Sequence, residues 1–287
     1  MGYRHIDNLY KNQTIMAFRE CYALEKIHGT SAHIKWDGIS LSFFSGGEKH
    51  ERFVALFDQE ALKTAFIGFG YELATFTVYG EAYGGKMQGM SKTYGTELRF
   101  VVFDIKISDA WLNVPNANDV ATKLGLEFVH YQKVSTDLAM LDIQRDLPSE
   151  QALRNGITEF KIREGVVLRP LDEFRDKRGN RILAKHKRPE FRERKSIPEV
   201  DPAKKELMEK ADDIADEWVT PMRLTHVLDK IGNPNELKAI PDVIKAMTED
   251  VCREAEGLIV DNKIVRKAIS QATVKLFKSK VMKVNHE

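Results

Sequence analysis

The spacing of apolar residues changes character once along the 287-residue chain, at Pro198-Glu199-Val200-Asp201-Pro202, and that change limits the folds open to it. Before it, short runs of β-branched and aromatic residues recur with turn signals between them. Tyr22 to Trp36 and Ile39 to Phe44 predict strands joined by a turn at Asp37-Gly38. Thr75 to Gly80, Leu98 to Ile107 and Ile182 to Lys187 predict more strands, and Phe160 to Leu168 alternates between two faces. Arg52 to Ala65 and Asn116 to Leu124 read as helices, the second capped by Asn118. After the boundary the period is helical throughout. Asp201 caps a helix with Pro202 in its first turn, Ala203 to Trp218 is amphipathic, and Thr220-Pro221 opens a helix through Leu228. Glu236 to Glu256 and Asn262 to Val284 continue the texture. The expectation is an α+β domain over residues 1–198 and a small all-helical domain over residues 199–287.

Composition narrows the class. Hydrophobic residues are 43% and charged residues 30%, an ordinary globular balance, and no apolar run approaches a membrane span. Cys21 and Cys252 lie far apart and form no metal-binding spacing, which predicts a reducing compartment: cytoplasm, or its equivalent in a virus-infected cell. A net charge of +1 excludes a uniformly cationic nucleic-acid coat. It leaves room for a local patch, and Arg175 to Lys195 supplies ten basic residues against Asp176, Glu190 and Glu193.

Gly80-Glu81-Ala82-Tyr83-Gly84-Gly85-Lys86 imitates a phosphate-binding P-loop, but Met87 stands where a hydroxyl must hold magnesium. Five other segments stand in order: Lys26-Ile27-His28-Gly29, Val78-Tyr79-Gly80-Glu81, Val101-Val102-Phe103-Asp104, Glu164-Gly165-Val166-Val167-Leu168-Arg169-Pro170 and Ala184-Lys185-His186-Lys187. Each alone has a bland explanation. Jointly they supply what nucleotidyl transfer needs: an amine nucleophile, carboxylates for ribose and metal, an aromatic face for a base and paired lysines for phosphates.

In that order the segments resemble the motifs of the covalent nucleotidyltransferases, the ligases and mRNA-capping enzymes. Glu25-Lys26-Ile27-His28-Gly29-Thr30 is similar to the RNA ligase 2 family, which seals nicks in duplex RNA. DNA ligases and capping enzymes usually carry Asp where this chain has His28. Met222 to Gly232 is also similar to that family's C-terminal domain. The resemblance implies an antiparallel-sheet nucleotidyltransferase core, ATP-grasp-like, ahead of the helical domain. It also implies an ATP-dependent RNA ligase, monomeric and free of membranes, using ATP as AMP donor with Mg2+ or Mn2+, and taking RNA as a nicked duplex or as bridged ends.

The resemblance implies roles for individual residues. Lys26 would attack the α-phosphate of ATP and hold AMP, with Glu25 and Ile27 beside it among the nucleotide contacts. Glu81 would meet the ribose and Phe103 would stack on adenine. Glu164 would serve the metal-assisted chemistry. Lys185 and Lys187 would hold the α-phosphate and orient pyrophosphate. His28 and Thr30 match positions beside the nucleophile. One departure is plain: Leu41-Ser42-Phe43-Phe44-Ser45-Gly46-Gly47 lacks the arginine the family usually places there, and Arg52 is the nearest.

A free lysine has a pKa of about 10.4, so a reactive amine near neutrality needs roughly 4 kcal/mol of bias against the ammonium. Burial and cationic neighbours supply such bias, and Lys185 and Lys187 would be those neighbours if folded beside Lys26. The other readings of the chain are a DNA ligase or capping-type nucleotidyltransferase, and a non-catalytic RNA-binding protein with the same core.

Overall fold

The computed structural model describes residues 2–70, 74–194 and 210–284. The chain divides into two compact units, Met1–Arg188 and Pro189–Glu287. The Pro198–Pro202 boundary and the Asp201 cap lie outside the described residues.

The first unit is built on two sheets whose named strands all pair antiparallel. The strands are β1 (Glu20–Lys26), β2 (Thr30–Trp36), β3 (Leu41–Ser45), β4 (Phe76–Gly84), β5 (Leu98–Ile107), β6 (Ala110–Trp111), β7 (Tyr131–Ser135), β8 (Gly165–Pro170) and β9 (Ala184–Lys187). One sheet runs β7-β1-β8-β9 and the other β3-β2-β4-β5-β6. The chain passes between them at Ile27-His28-Gly29, which splits the expected Tyr22–Trp36 run in two. Asp37 makes the turn into β3 by accepting from the backbone N–H groups of Ile39 and Ser40. One face of the five-stranded sheet, with Ile34, Trp36, Phe76, Val78, Val102 and Ile105, carries the main core.

Among its described residues are the helices α1 (His50–Val54), α2 (Gln59–Gly68), α3 (Ser91–Tyr94), α4 (Val114–Lys123), α5 (Leu138–Asp146) and α6 (Glu150–Arg154). Leu62 and Phe66 of α2 and Ala117 and Ala121 of α4 close the core, and the rings of Phe66 and Trp36 stack at 5.7 Å. The Arg52–Ala65 helix is two: α1 ends at Val54, and Asp58 caps α2 by accepting from the Glu60 and Ala61 N–H groups. The cap of α4 is Asn113, accepting from the Asn116 N–H; Asn118 is an interior residue. Residues 160–164 are not a strand, and β8 begins at Gly165. Gly80 to Gly84 lie within β4, so the P-loop imitation is strand.

The second unit contains α7 (Ala211–Trp218), α8 (Pro221–Lys230), α9 (Ile240–Glu254) and α10 (Lys263–Val284). Thr220 caps α8 as expected, accepting from the Arg223 N–H. Its own core includes Trp218, Leu224, Met247, Val251, Ile269 and Phe277. Among the described residues, no helix is long and apolar enough to cross a membrane.

Candidate active site

Lys26 ends β1 and Lys187 ends β9, and β8 lies between those strands with Gly165 paired to both lysines. Glu164 precedes Gly165, so strand register alone brings one carboxylate between two amines that are 161 positions apart in the chain. Glu164 Oε2 lies 3.0 Å from Lys26 Nζ and 3.1 Å from His28 Nδ1, and Oε1 lies 2.9 Å from Lys187 Nζ. Gly165 permits this crowding. Its φ is +147°, and a Cβ there would stand 2.1 Å from the His186 carbonyl oxygen. Glu164 is fully buried, which opposes its charge. Lys187, Lys26 and His28 outweigh that and hold its carboxyl well below the usual range.

Glu81 joins from the second sheet. Its Oε1 accepts from the Gly29 N–H at 3.1 Å. A Cβ on Gly29 would meet the Ala82 carbonyl oxygen at 2.3 Å, so the glycine of Lys-x-x-Gly serves close approach of the crossing segment to β4. Burial pushes Glu81 up to about 7, opposed by Lys26 and reinforced by the charge of Glu164.

Phe103 owes its position to a break in the ladder. Tyr79 pairs with Asp104 and Gly80 with Val102, leaving Phe103 as the extra residue of a β-bulge, a device that re-aims a side chain. The ring of Tyr3 packs edge-on against Phe103 at 4.9 Å. Lys185 is buried on the same face of β9 as Lys187, two residues away. Its backbone is paired with the N-terminal segment through Asp7 and Leu9.

Three expected residues do not bring their side chains to this cluster. The Glu25 carboxylate accepts from Ser149 Oγ at 2.6 Å and from the backbone N–H groups of Glu150 and Gln151, so it fastens the start of α6. Ile27 is buried in the core, and Thr30 pairs with Ala82, which places it on the sheet face opposite Glu81. Arg52 is exposed on α1 and pairs with Glu48.

Other residues here carried no role in the sequence reading. Tyr94 Oη accepts from the His28 N–H at 3.3 Å. Asp104 accepts from Arg169 at 3.0 Å and from Tyr3 and Arg181 at 2.6 Å each, and Arg169 also donates to the Phe103 carbonyl. Both guanidinium groups are buried, so Arg181, a member of the basic run, is structural. Exposed members of that run include Arg175, Lys177 and Arg178. Asp104 and Arg169 lie inside the ordered segments, beside Phe103 and after Glu164, and that position is their signal in the sequence.

The fold has counterparts in known proteins. The RNA ligase family model matches residues 19–187, more than half of the chain and every residue of the cluster. The chain belongs to the RNA ligase family. No curated protein matches it. Among solved structures it is similar to a ligand-free point mutant of Naegleria gruberi RNA ligase, at 15% identity and a TM-score of 0.51 over 67% of this chain and 56% of that one. A second mutant of that ligase, with AMP and Mn, gives 14% identity and 0.51 over 67% and 57%. A third, with ATP and Mn, gives 15% and 0.50 over the same shares. At these identities the likeness establishes the fold, a mixed architecture of antiparallel sheets. The chain spans under three fifths of the length of the structures it resembles.

Proposed function

We propose that this protein is an ATP-dependent RNA ligase that joins 3′-hydroxyl and 5′-phosphate RNA ends at nicks in duplex RNA, acting as a monomer in a reducing, cytoplasm-like compartment. The observation that carries the reading is Glu164 shared by Lys26 and Lys187 in a chain of the RNA ligase family. The AMP, ATP and Mn held by the Naegleria structures support ATP as donor and a divalent ion as helper.

Lys26 Nζ attacks the α-phosphorus of ATP. An N–P bond forms, the bond to pyrophosphate breaks, and the lysine ammonium gives up two protons to water and pyrophosphate while keeping one N–H. AMP passes to the RNA 5′-phosphate, and the 3′-hydroxyl then attacks that end and expels AMP. Glu164, held ionised, is a poor proton acceptor, so its work is to hold Lys26 and Lys187 in place. Lys26 must leave this ion pair to attack. Lys187 and Lys185 stand ready to receive phosphate charge, and Phe103 offers a face to adenine. Glu164 and Glu81 would hold a divalent ion together with the substrate phosphates. Such an ion would neutralise phosphate charge. A duplex aligns the two ends by pairing, so the protein need read only shape and 2′-hydroxyls.

The test is sealing of a 5′-labelled nick with ATP and Mg2+ or Mn2+. The expected result is joining when the 3′-hydroxyl strand is RNA, and a 5′-adenylylated strand when that hydroxyl is blocked. Joining of DNA 3′-hydroxyl ends alone would make it a DNA ligase. Equal joining of unpaired RNA ends would overturn nick specificity.

A further inference from the structure

The sheet face that carries Glu81 also carries a row of aromatic rings that the ligation steps above do not use. On β3, β2 and β4, Phe44, His33 and Tyr79 are cross-strand partners, so their side chains share that face. The His33 ring stacks on Phe44 at 5.0 Å and 22°, and lies against Tyr79 at 5.6 Å. Tyr79 in turn stacks on Trp111 of β6 at 5.4 Å and 28°. Phe44, on the edge strand, is 39% exposed. His33 is nine-tenths buried, and its Nδ1 has no hydrogen-bond partner among the described residues. A buried nitrogen left unpaired is costly, and a ligand that supplies a partner removes the cost.

The neighbouring rows say what ligand suits the face. One step along the strands towards Gly29, Ser31 pairs with Glu81 of the cluster. One step the other way, Lys35 pairs with Ser42 and Thr77, and it is exposed. Carboxylate, aromatic row and cation thus follow one another across about 13 Å, two residues of strand per step. That sequence matches a nucleotide lying along the face, with its base on the rings and its backbone phosphate near Lys35. Burial, aided by the charge of Lys35, lowers the pKa of His33, so the row is uncharged at neutral pH. An uncharged row suits the RNA end without a terminal phosphate, while the buried lysines Lys185 and Lys187 lie on the other sheet.

We propose that Phe44, His33 and Tyr79 form a stacking platform for the terminal base of the 3′-hydroxyl strand. The proposal rests on the RNA ligase reading for its substrate. Every base has a π-face, so such a platform grips without reading sequence.

The test places 2-aminopurine at the 3′-hydroxyl terminus of a nicked duplex and follows its fluorescence on binding to the full chain. The expected result is quenching by the wild type, lost in Phe44→Ala with about tenfold weaker binding of the duplex, and kept in Phe44→Trp. Phe44→Leu, which keeps apolar bulk without a ring, should behave like Phe44→Ala. Lys26 adenylylation by ATP without RNA should be the same in all four proteins. Three results would overturn the platform: a Phe44→Leu as good as Phe44→Trp, quenching only with the probe on the 5′-phosphate strand, or adenylylation and RNA binding falling together in Phe44→Ala. The binding arm needs no catalysis. A wild type that forms no AMP adduct therefore overturns the ligase reading separately, while the fluorescence still decides the platform.

Discussion

Two ammonium groups and an imidazole share the carboxylate of Glu164, and all three would be left without it in Glu164→Gln. Lys26 then loses its anchor and Lys187 is buried without its carboxylate. Adduct formation should fall about a hundredfold or more, and stability by about 3 kcal/mol, because breaking a buried pair strands the remaining charge. Single-turnover labelling and urea unfolding read the two effects. Glu81 gives a pH signature of the opposite kind. Its folded pKa is raised from 4.5 to about 7, so the folded chain keeps a proton that the unfolded chain has lost across that window. Stability should therefore decline as pH rises from about 5 to 8, by about 1 to 2 kcal/mol once solvent screening is allowed for. Glu81→Gln should flatten that part of the profile. A steeper decline in the variant would contradict the assignment.

Strand geometry decides which motif residues meet. Gly165→Ala should destabilise the chain by about 3 kcal/mol or more, since the added carbon meets the His186 carbonyl and the backbone angle disfavours a side chain. A fall in Tm measures this, and a neutral result would mean β8 and β9 are not paired as described. The residue types of the motifs were legible in the sequence, and so were most strands. The register that sets Lys26 and Lys187 opposite Gly165 was not, because pairing between distant strands leaves no local pattern. The bulge at Phe103 was hidden for the same reason. The cap of α4 is Asn113 rather than Asn118, and Pro115 in the first turn of that helix is its signal in the sequence. Glu25 looked like a nucleotide contact because it precedes the nucleophile, and only the fold shows that its carboxylate is occupied by α6.

Every residue of the cluster lies in the unit Met1–Arg188, and Pro189–Glu287 has a core of its own. Val251→Asp puts an unpaired charge at a fully buried point of that second core. It should cost about 4 kcal/mol or more and melt the helical unit, seen as lost helical dichroism. Lys26 adenylylation should persist; its loss would show that the first unit cannot act alone. The change of texture near Pro198 predicts a boundary after residue 198, whereas the compact units divide at Arg188 and Pro189. Charge was less informative at this scale. The run from Arg175 to Lys195 reads as one basic surface, yet Arg181 pairs with Asp104, and Lys185 and Lys187 are buried with the nucleophile's strand. Composition counts charges, and only packing says which of them face water. Lys26 is the residue proposed to carry AMP. The direct measurement is incubation with ATP and Mg2+ or Mn2+, denaturation, and mapping of the modified peptide by mass. A single adenylyl group on Lys26, absent from Lys26→Ala, is the predicted result. An adduct that survives Lys26→Ala, or no adduct with any nucleoside triphosphate, would contradict it.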